Sequence, residues 1–599
     1  MSEAALAKVE EVDVRMQWGI KIPMRDGVQL NATLYLPRDH HEPSPVIFTL
    51  TPYIGQTYHH FATYFAERKL PFLTVDVRGR GDSEGTFRPF IQEARDGHDI
   101  VEWLARQPYC NGKVAMWGGS YAGYNQWATA REAPPHLATI VPVASAYISV
   151  DFPMLNNTVG CYVMQWLTYV SGRTAQDKVF WDSPQFWNRI FQRWYESGAP
   201  FEKLDDQIGN PSAIFQEWIS HPEQGGYWDQ YNPSSEEYSR LQFPILTITG
   251  SYDGDQPGAL KHYREHLRYA AKEADLQHYL VIGPWDHGGT RIPKTEIGGI
   301  KVGPESLVDL PKLHLQWYAW TMQAGDKPAF LKKRVTYYVM VADRWRYADT
   351  LDAITDHFDA YYLSASGNSA DVLHSGFLDL RVPVTASVSR YVYDPKDISG
   401  AAFEASNDFS YTDQRLVYRL VGKQVVYHSS PCERDTEISG FFKLRAWLSI
   451  DQPDTDFEAN VYEVGLDGKS VWLSSDRIRA RYRESLREAN LIQTTDPLLY
   501  DFDRFTFISR VLKQGSRLRL VIGPVNSIHA QRNFNSGGVV AKESIQDARP
   551  VEVKLFHGRE HPSVLHVPIG RPCSSDEPSA PATALISTLP PSAGSSTYA

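Results

Sequence analysis

The feature that most narrows the fold of this 599-residue chain is an alternation of short, continuous apolar runs with segments of helical periodicity. "PVIFTL" (45–50), "FLTVDV" (72–77), "KVAMWG" (113–118) and "LATIVPVAS" (137–145) read as strands. Between them, "FATYFAERKL" (61–70) and "ARDGHDIVEWLARQ" (94–107) read as helices, the second with Ile100, Val101, Trp103 and Leu104 on one face. Strands that are apolar throughout must be covered on both faces, so the pattern predicts a parallel sheet between layers of helices. Ahead of it, "GIKIPMRDGVQLNATLYLP" alternates about Asp26-Gly27, a hairpin signal.

The alternation stops near residue 147. From there to about 237 the chain is helical, irregular and rich in large aromatics, with Trp166, Trp181, Trp187, Trp194, Trp218 and Trp228. It then resumes with a strand at "FPILTITG" (243–250), a helix at "GALKHYREHLRYAAKEA" (258–274) and a strand at "QHYLVIG" (277–283). Past residue 357 the runs are short, β-rich and separated by turn residues ("GFFKLRAWLSI", "FEANVYEVG", "RLRLVIGP"). The expected organisation is an α/β domain in two parts, 1–146 and 238–356. A helical cap, 147–237, is inserted as a lid over the carboxyl edge of the sheet, where α/β proteins bind ligands. An all-β sandwich or jelly roll follows at 357–570. The tail, 571–599, is rich in Pro, Ser and Ala and is expected to be disordered.

Composition excludes several classes of function. A net charge of −11 with no block of Lys or Arg argues against a nucleic-acid surface. No window approaches the run of about 18 apolar residues that a membrane helix requires, and the acidic N-terminus lacks the apolar stretch of a secretory signal. Cys110, Cys161, Cys432 and Cys573 have no metal-ligand spacing, and the pairs His40-His41 and His59-His60 lack supporting ligands. The expectation is a cytoplasmic protein with free thiols, needing no metal or organic cofactor. It would act on a small molecule, with no nucleic-acid or membrane partner and with an oligomer left open.

One stretch carries chemistry. In "GKVAMWGGSYAGYNQWATA" a strand runs into Gly118-Gly119-Ser120-Tyr121-Ala122-Gly123 and a helix follows. This is the G-x-S-x-G pattern with alanine in the final position. A sharp strand-to-helix turn exposes the serine hydroxyl and aims the next backbone N–H, that of Tyr121, at the same point. A bland alternative is a helix N-cap serine. A serine nucleophile needs a base, and the base needs an orienting acid. The strand 243–250 ends in "GSYDGDQPG", presenting Asp253, and the strand 277–283 ends in "GPWDHGG", presenting His287. Both fall on the same sheet edge as Ser120. Asp255 and Asp286 are rival acids. A second oxyanion donor is expected from Pro52-Tyr53 after the strand 45–50, through either the Tyr53 hydroxyl or its backbone N–H. The cap's aromatics suggest an apolar or aromatic group on the substrate, with Tyr162 and Trp166 as candidate contacts beside Asp255.

The stretches "IPMRDGVQLNATLYLP", "TPY", "VDVRGRGDSEG", "GKVAMWGGSYAGYNQWATA", "PPHLATIVPVAS", "SYDGD", "IGPWDHG" and "DQPDTDFEANVYEV" together resemble the X-Pro dipeptidyl-peptidase-like family of serine hydrolases. That family includes the cocaine-esterase and NonD-type acyl esterases and the α-amino-acid ester hydrolases. The resemblance implies an α/β-hydrolase domain with an inserted helical cap and a C-terminal jelly roll. It also implies Ser120 as nucleophile, Asp253 as acid, His287 as base, and Tyr53 with Tyr121 as oxyanion hole. Basic residues common around the Pro-Tyr pair are replaced by Leu50 and Gly55. Where α-amino-acid ester hydrolases hold an ammonium with two acids, this chain has Asp255 and Gln256. The late segment "GPVNSIHAQRNFNSGG" keeps Arg532, Asn533 and Asn535 to Gly537 but differs ahead of them. The expected activity is cleavage of a carboxylic ester or amide through an acyl-enzyme. Alternatives are an X-Pro peptidase or α-amino-acid ester hydrolase, an acyltransferase with the same triad, and a non-catalytic binding protein.

Overall fold

A computed structural model of the chain describes residues 13–180, 183–270, 277–406, 410–415, 417 and 420–571. Trp181, Cys573 and the expected disordered tail past Arg571 lie outside these residues.

Ten strands form one sheet: β1 (Val14–Pro23), β2 (Gln29–Pro37), β3 (Ser44–Thr51), β4 (Phe72–Asp76), β5 (Cys110–Gly119), β6 (Leu137–Val143), β7 (Ile245–Tyr252), β8 (His278–Asp286), β9 (Val335–Val339) and β10 (Arg344–Ala348). Their order is β1-β2-β4-β3-β5-β6-β7-β8-β9-β10. From β4 through β9 every neighbouring pair is parallel, while β1, β2 and β10 are attached antiparallel. The hairpin about Asp26-Gly27 forms as its sequence predicts, with Ile22 opposite Leu30 and Gly27 at φ 88°.

The central strands are apolar because helices cover both faces. Val46, Phe48 and Leu50 of β3 pack with Ile100, Val101 and Leu104 of α2 (Glu93–Leu104) and Trp127 of α3 (Tyr121–Arg131). Ile47 points the other way, into the cluster holding Phe61 and Phe65 of α1 (His59–Glu67) and Leu313 and Trp317 of α7 (Leu310–Met322). Each such side chain contributes about 1.5–3 kcal/mol on burial, which fixes the register of the strands and the loops at their ends.

Between β6 and β7 the chain is mainly helical. It includes α4 (Tyr162–Tyr169) and α5 (Pro184–Ser197), whose Trp166, Trp187 and Trp194 are buried. After β7 comes α6 (Gln256–Tyr269). From Thr355 to Gly570 thirteen strands form a second sheet system in which all but one of the pairings are antiparallel. Asp456–Val464 and Val551–His557 alternate buried with half-buried positions, as strands with one face on a core must. The fold is therefore an α/β-hydrolase sheet with a helical insertion, followed by a β-rich region.

The β-rich region braces the carboxyl edge of the first sheet. The Gln256 side chain donates to Phe507 O at 3.1 Å and accepts from Phe507 N–H at 2.6 Å. The Tyr411 hydroxyl donates to Tyr252 O at 3.1 Å. The late segment also packs on the insertion: Cys161 N–H donates to His529 O, and the Arg532 guanidinium lies 3.4 Å from the Tyr195 ring centroid. Among the described residues no helix is long and apolar enough to cross a membrane, and no cluster of His, Cys, Asp or Glu is arranged to hold a metal ion.

Candidate active site

β5 ends at Gly119 and α3 begins at Tyr121, so Ser120 alone makes the turn, at φ 60° and ψ −124°. A non-glycine residue in that conformation is strained, and the surroundings must hold it there. The Ser120 amide donates to Val143 O at 2.9 Å, and its carbonyl accepts from Gly123 and Tyr124 N–H. Its side chain does not cap α3, which removes the N-cap explanation. A Cβ at Gly118 would lie 2.6 Å from the Ala122 Cβ, so the crossing of strand and helix tolerates only small residues. This is why alanine serves at the last position of the motif. The Tyr121 amide is the first of the helix and has no partner within it.

Tyr53 follows β3. Its ring is buried, stacks on Tyr169 at 5.2 Å, and burial pushes its phenol well above the usual range. The hydroxyl accepts from Trp166 Nε1 at 3.1 Å, and the Ser120 side chain acts on it from nearby. A phenol that accepts from an indole keeps its own proton to donate. The Tyr53 backbone N–H, the other candidate donor, is occupied by Thr51 Oγ1 at 3.0 Å. Trp166 is buried behind Tyr53, stacked on Tyr121 at 5.8 Å, with its N–H committed to the Tyr53 hydroxyl.

Asp253 is the first residue past β7 and is buried. One of its oxygens accepts from Thr249 Oγ1 at 3.0 Å, and the other from Asp255 N–H at 3.1 Å and from His287 Nδ1 at 2.8 Å. With Nδ1 protonated, His287 presents Nε2 with a free lone pair. Burial opposes protonation of His287, but the charges of Asp253 and Asp255 outweigh it and hold the imidazole above its ordinary value. Of the rival acids, Asp255 approaches His287 Nδ1 only to 3.8 Å. Burial pushes the Asp255 carboxyl well up despite the nearby imidazole. Asp286 caps its own turn, accepting from Gly289 N–H at 2.6 Å. Tyr162 opens α4, is 46% exposed and packs its ring on Phe180.

Tyr53, Ser120, Tyr121, Asp253, Asp255 and His287 thus sit at or just past the carboxyl ends of β3, β5, β7 and β8, Trp166 joins them from α4 through Tyr53, and Tyr162 opens α4. Three contributors were missed. Thr249 fixes Asp253 from within β7. Glu93, which burial pushes up to about 7, accepts from the Tyr121 hydroxyl and anchors the side chain behind the expected oxyanion amide. Arg291, four residues past His287, packs its guanidinium against Gly119. Nothing in "DHGGTR" signals that burial; its cue is the space left by a residue 172 positions away. Gln256 turns toward Phe507 and braces the β-rich region.

Comparison with known proteins agrees with this architecture. Residues 26–289 match the X-Pro dipeptidyl-peptidase (S15) family, and residues 329–563 match the X-Pro dipeptidyl-peptidase C-terminal non-catalytic domain. The cocaine esterase of Rhodococcus sp. (strain MB1 Bresler) is 26% identical over 586 residues, covering 92% of this chain and 98% of that protein. An α-amino acid ester hydrolase structure superposes with a TM-score of 0.79 at 19% identity, covering 94% of this chain and 98% of that one. An aminopeptidase from a marine sediment Thaumarchaeota archaeon gives 0.78 at 20% identity, covering 95% and 99%. At these identities the two structures speak for the fold. With both family matches in chain order and a relative aligned over almost its whole length, the chain belongs to the X-Pro dipeptidyl-peptidase-like family of serine hydrolases and cleaves ester or amide bonds.

Proposed function

We propose that the protein is an acyl esterase in which Ser120 is the nucleophile, His287 the general base and acid, and Asp253 the residue that orients the imidazole. The observation that carries this reading is the 2.8 Å bond from His287 Nδ1 to the buried Asp253, on the same edge as a serine strained at φ 60°. His287 Nε2 takes the Ser120 proton as Oγ attacks the carbonyl carbon, and Asp253 stabilises the resulting imidazolium. The Tyr53 hydroxyl and the Tyr121 N–H receive the negative charge that develops on the carbonyl oxygen. Collapse of the tetrahedral intermediate, with His287 protonating the leaving group, gives an acyl-enzyme, and water then releases the acid. Trp166 serves to set the Tyr53 hydroxyl, and Tyr162 and Asp255 border the substrate.

The same reading divides the chain into hydrolase domain (1–146 and 238–356), cap (147–237) and jelly roll (357–570). Free thiols at Cys110, Cys161 and Cys432 support a reducing, cytoplasmic setting. The test is hydrolysis of 4-nitrophenyl acetate by folded Ser120→Ala and His287→Ala variants. Both should lose almost all activity; substantial turnover by Ser120→Ala would reject the assignment.

A further inference from the structure

Arg291 is 8% exposed, and its Nη1 and Nη2 atoms are buried with no hydrogen-bond partner. A guanidinium has five N–H donors and is permanently charged, so leaving both terminal nitrogens unpaired in a buried place is costly. Other buried arginines of the chain avoid this. Arg78 forks onto Asp26 and Asp96. Arg80 donates to the carbonyls of Pro52, Ser171, Gly172 and Thr174.

The position of Arg291 is built. It closes the tight turn that begins at His287, with Thr290 Oγ1 on His287 O at 2.6 Å and Arg291 N–H on Gly288 O at 3.1 Å. The guanidinium fills the space left by the missing side chain of Gly119: a Cβ there would overlap Nη1 and lie 3.3 Å from Cζ. Consecutive Cα atoms are 3.8 Å apart, so Cζ lies within about 9 Å of the Ser120 Cα. Its charge is felt at Asp255 and His287 in the site and at Tyr58 and Tyr162. Among the described residues Arg291 forms no ion pair; the Asp255 carboxylate turns to His287 instead.

We propose that Arg291 binds a carboxylate carried by the substrate within a few bonds of the carbonyl that Ser120 attacks. This deepens the proposed function and rests on it. A planar fork of N–H donors matches a carboxylate in two parallel hydrogen bonds, and a buried fork gains most from such a partner. The carboxylate can sit on the acyl side, as in a half-ester of a short dicarboxylic acid, or on the leaving group, as in an acylated hydroxy acid. The chemistry recognised is the same.

The test compares kcat/KM in two arms. One pairs monomethyl esters of four- to six-carbon dicarboxylic acids with the methyl esters of their mono-amides. The other pairs acetoxyacetate with acetoxyacetamide. In one arm the anion should be preferred by about 10- to 100-fold, the scale of a hydrogen-bonded charge. Arg291→Gln should bring that ratio to one or below, and Arg291→Lys should restore part of it. Because the wild type buries an unpaired charge, Arg291→Gln should leave Tm unchanged or raise it, whereas a structural arginine would lower it. Millimolar succinate or acetate, but not acetamide, should raise the Tm of the wild type and not of Arg291→Gln, and this readout holds even where no ester is turned over. No preference in either arm together with no carboxylate-dependent Tm shift, or a preference surviving in Arg291→Gln, would overturn the proposal. If neutral esters are cleaved through Ser120 and Arg291 still shows no preference, only the carboxylate site fails. If Ser120 proves unreactive, the proposed function fails instead.

Discussion

Two buried arginines, one in each half of the molecule, mark what separates its scaffold from its site. In the β-rich region Arg479 is enclosed and each of its three nitrogens has a partner. It forks onto Asp456 at 2.8 and 3.0 Å and donates to Asn157 O at 3.0 Å and Gln531 Oε1 at 3.3 Å. Asn533 adds a further bond to Asp456. At the carboxyl edge of the α/β sheet Arg291 is nearly as buried and unanswered, next to a serine held in strained backbone. Burial alone does not distinguish the two; the partners do. A charge whose every nitrogen is met holds elements together, here the β-rich strands to residue 157 of the insertion. A charge left unmet beside the proposed nucleophile is poised for something that arrives.

The strongest way to break this comparison acts on the orienting acid. Asp253→Asn should lower kcat on a neutral ester by about 10⁴, because an amide in that place favours the wrong imidazole tautomer. Asp255→Asn should cost far less. If the two effects were reversed, Asp255 would be the orienting acid and the 2.8 Å contact misleading.

On the scaffold side, Arg479→Gln should destabilise folding by about 3–5 kcal/mol, read by chemical denaturation, since it leaves Asp456 buried without its cation. A change below about 1 kcal/mol would erase the contrast with Arg291.

Tyr53→Phe deletes one hydroxyl and keeps the ring stack. It should lower kcat by about 10²–10³ with little change in KM or Tm, the pattern of a donor used in the transition state. Since the Tyr53 amide is held by Thr51 Oγ1, near-native kcat in this variant would leave the Tyr121 N–H as the sole assigned oxyanion donor.

The smallest effect concerns pH. His287 must be neutral to accept the Ser120 proton, so kcat/KM should fall as pH drops through its pKa. The groups acting on it are Asp253 and Asp255, which raise that value, and Arg291, which lowers it. Asp255→Asn removes one raising charge and should move the acid limb to lower pH. A move to higher pH would show that Asp255 does not act on the imidazole as a negative charge.

Much of this architecture is legible in the sequence because it rests on local pattern. Apolar runs such as "PVIFTL" must be covered on both faces, and the glycines and alanine around Ser120 are dictated by one crossing of β5 and α3. Asp253 and His287 can be found because each directly follows such a strand. What escapes is set by contacts between distant segments. Gln256 meets Phe507 across 251 positions, and Trp166 meets Tyr53 across 113. In sequence Gln256 falls at a substrate position and Trp166 reads as a substrate contact. Packing turns Gln256 toward the β-rich region and sets Trp166 behind the expected oxyanion donor. Arg291 escapes for the same reason, because no local pattern reports that a surface-type residue will be enclosed without a partner.

The central claim is that Ser120 is the nucleophile of this edge. It is tested most directly by treating the folded protein with a fluorophosphonate and mapping the adduct by peptide mass spectrometry. The account predicts one stoichiometric adduct, on Ser120, whose formation slows by orders of magnitude in His287→Ala and is absent in Ser120→Ala. An adduct mapped to another residue, or full labelling of folded Ser120→Ala, would contradict it.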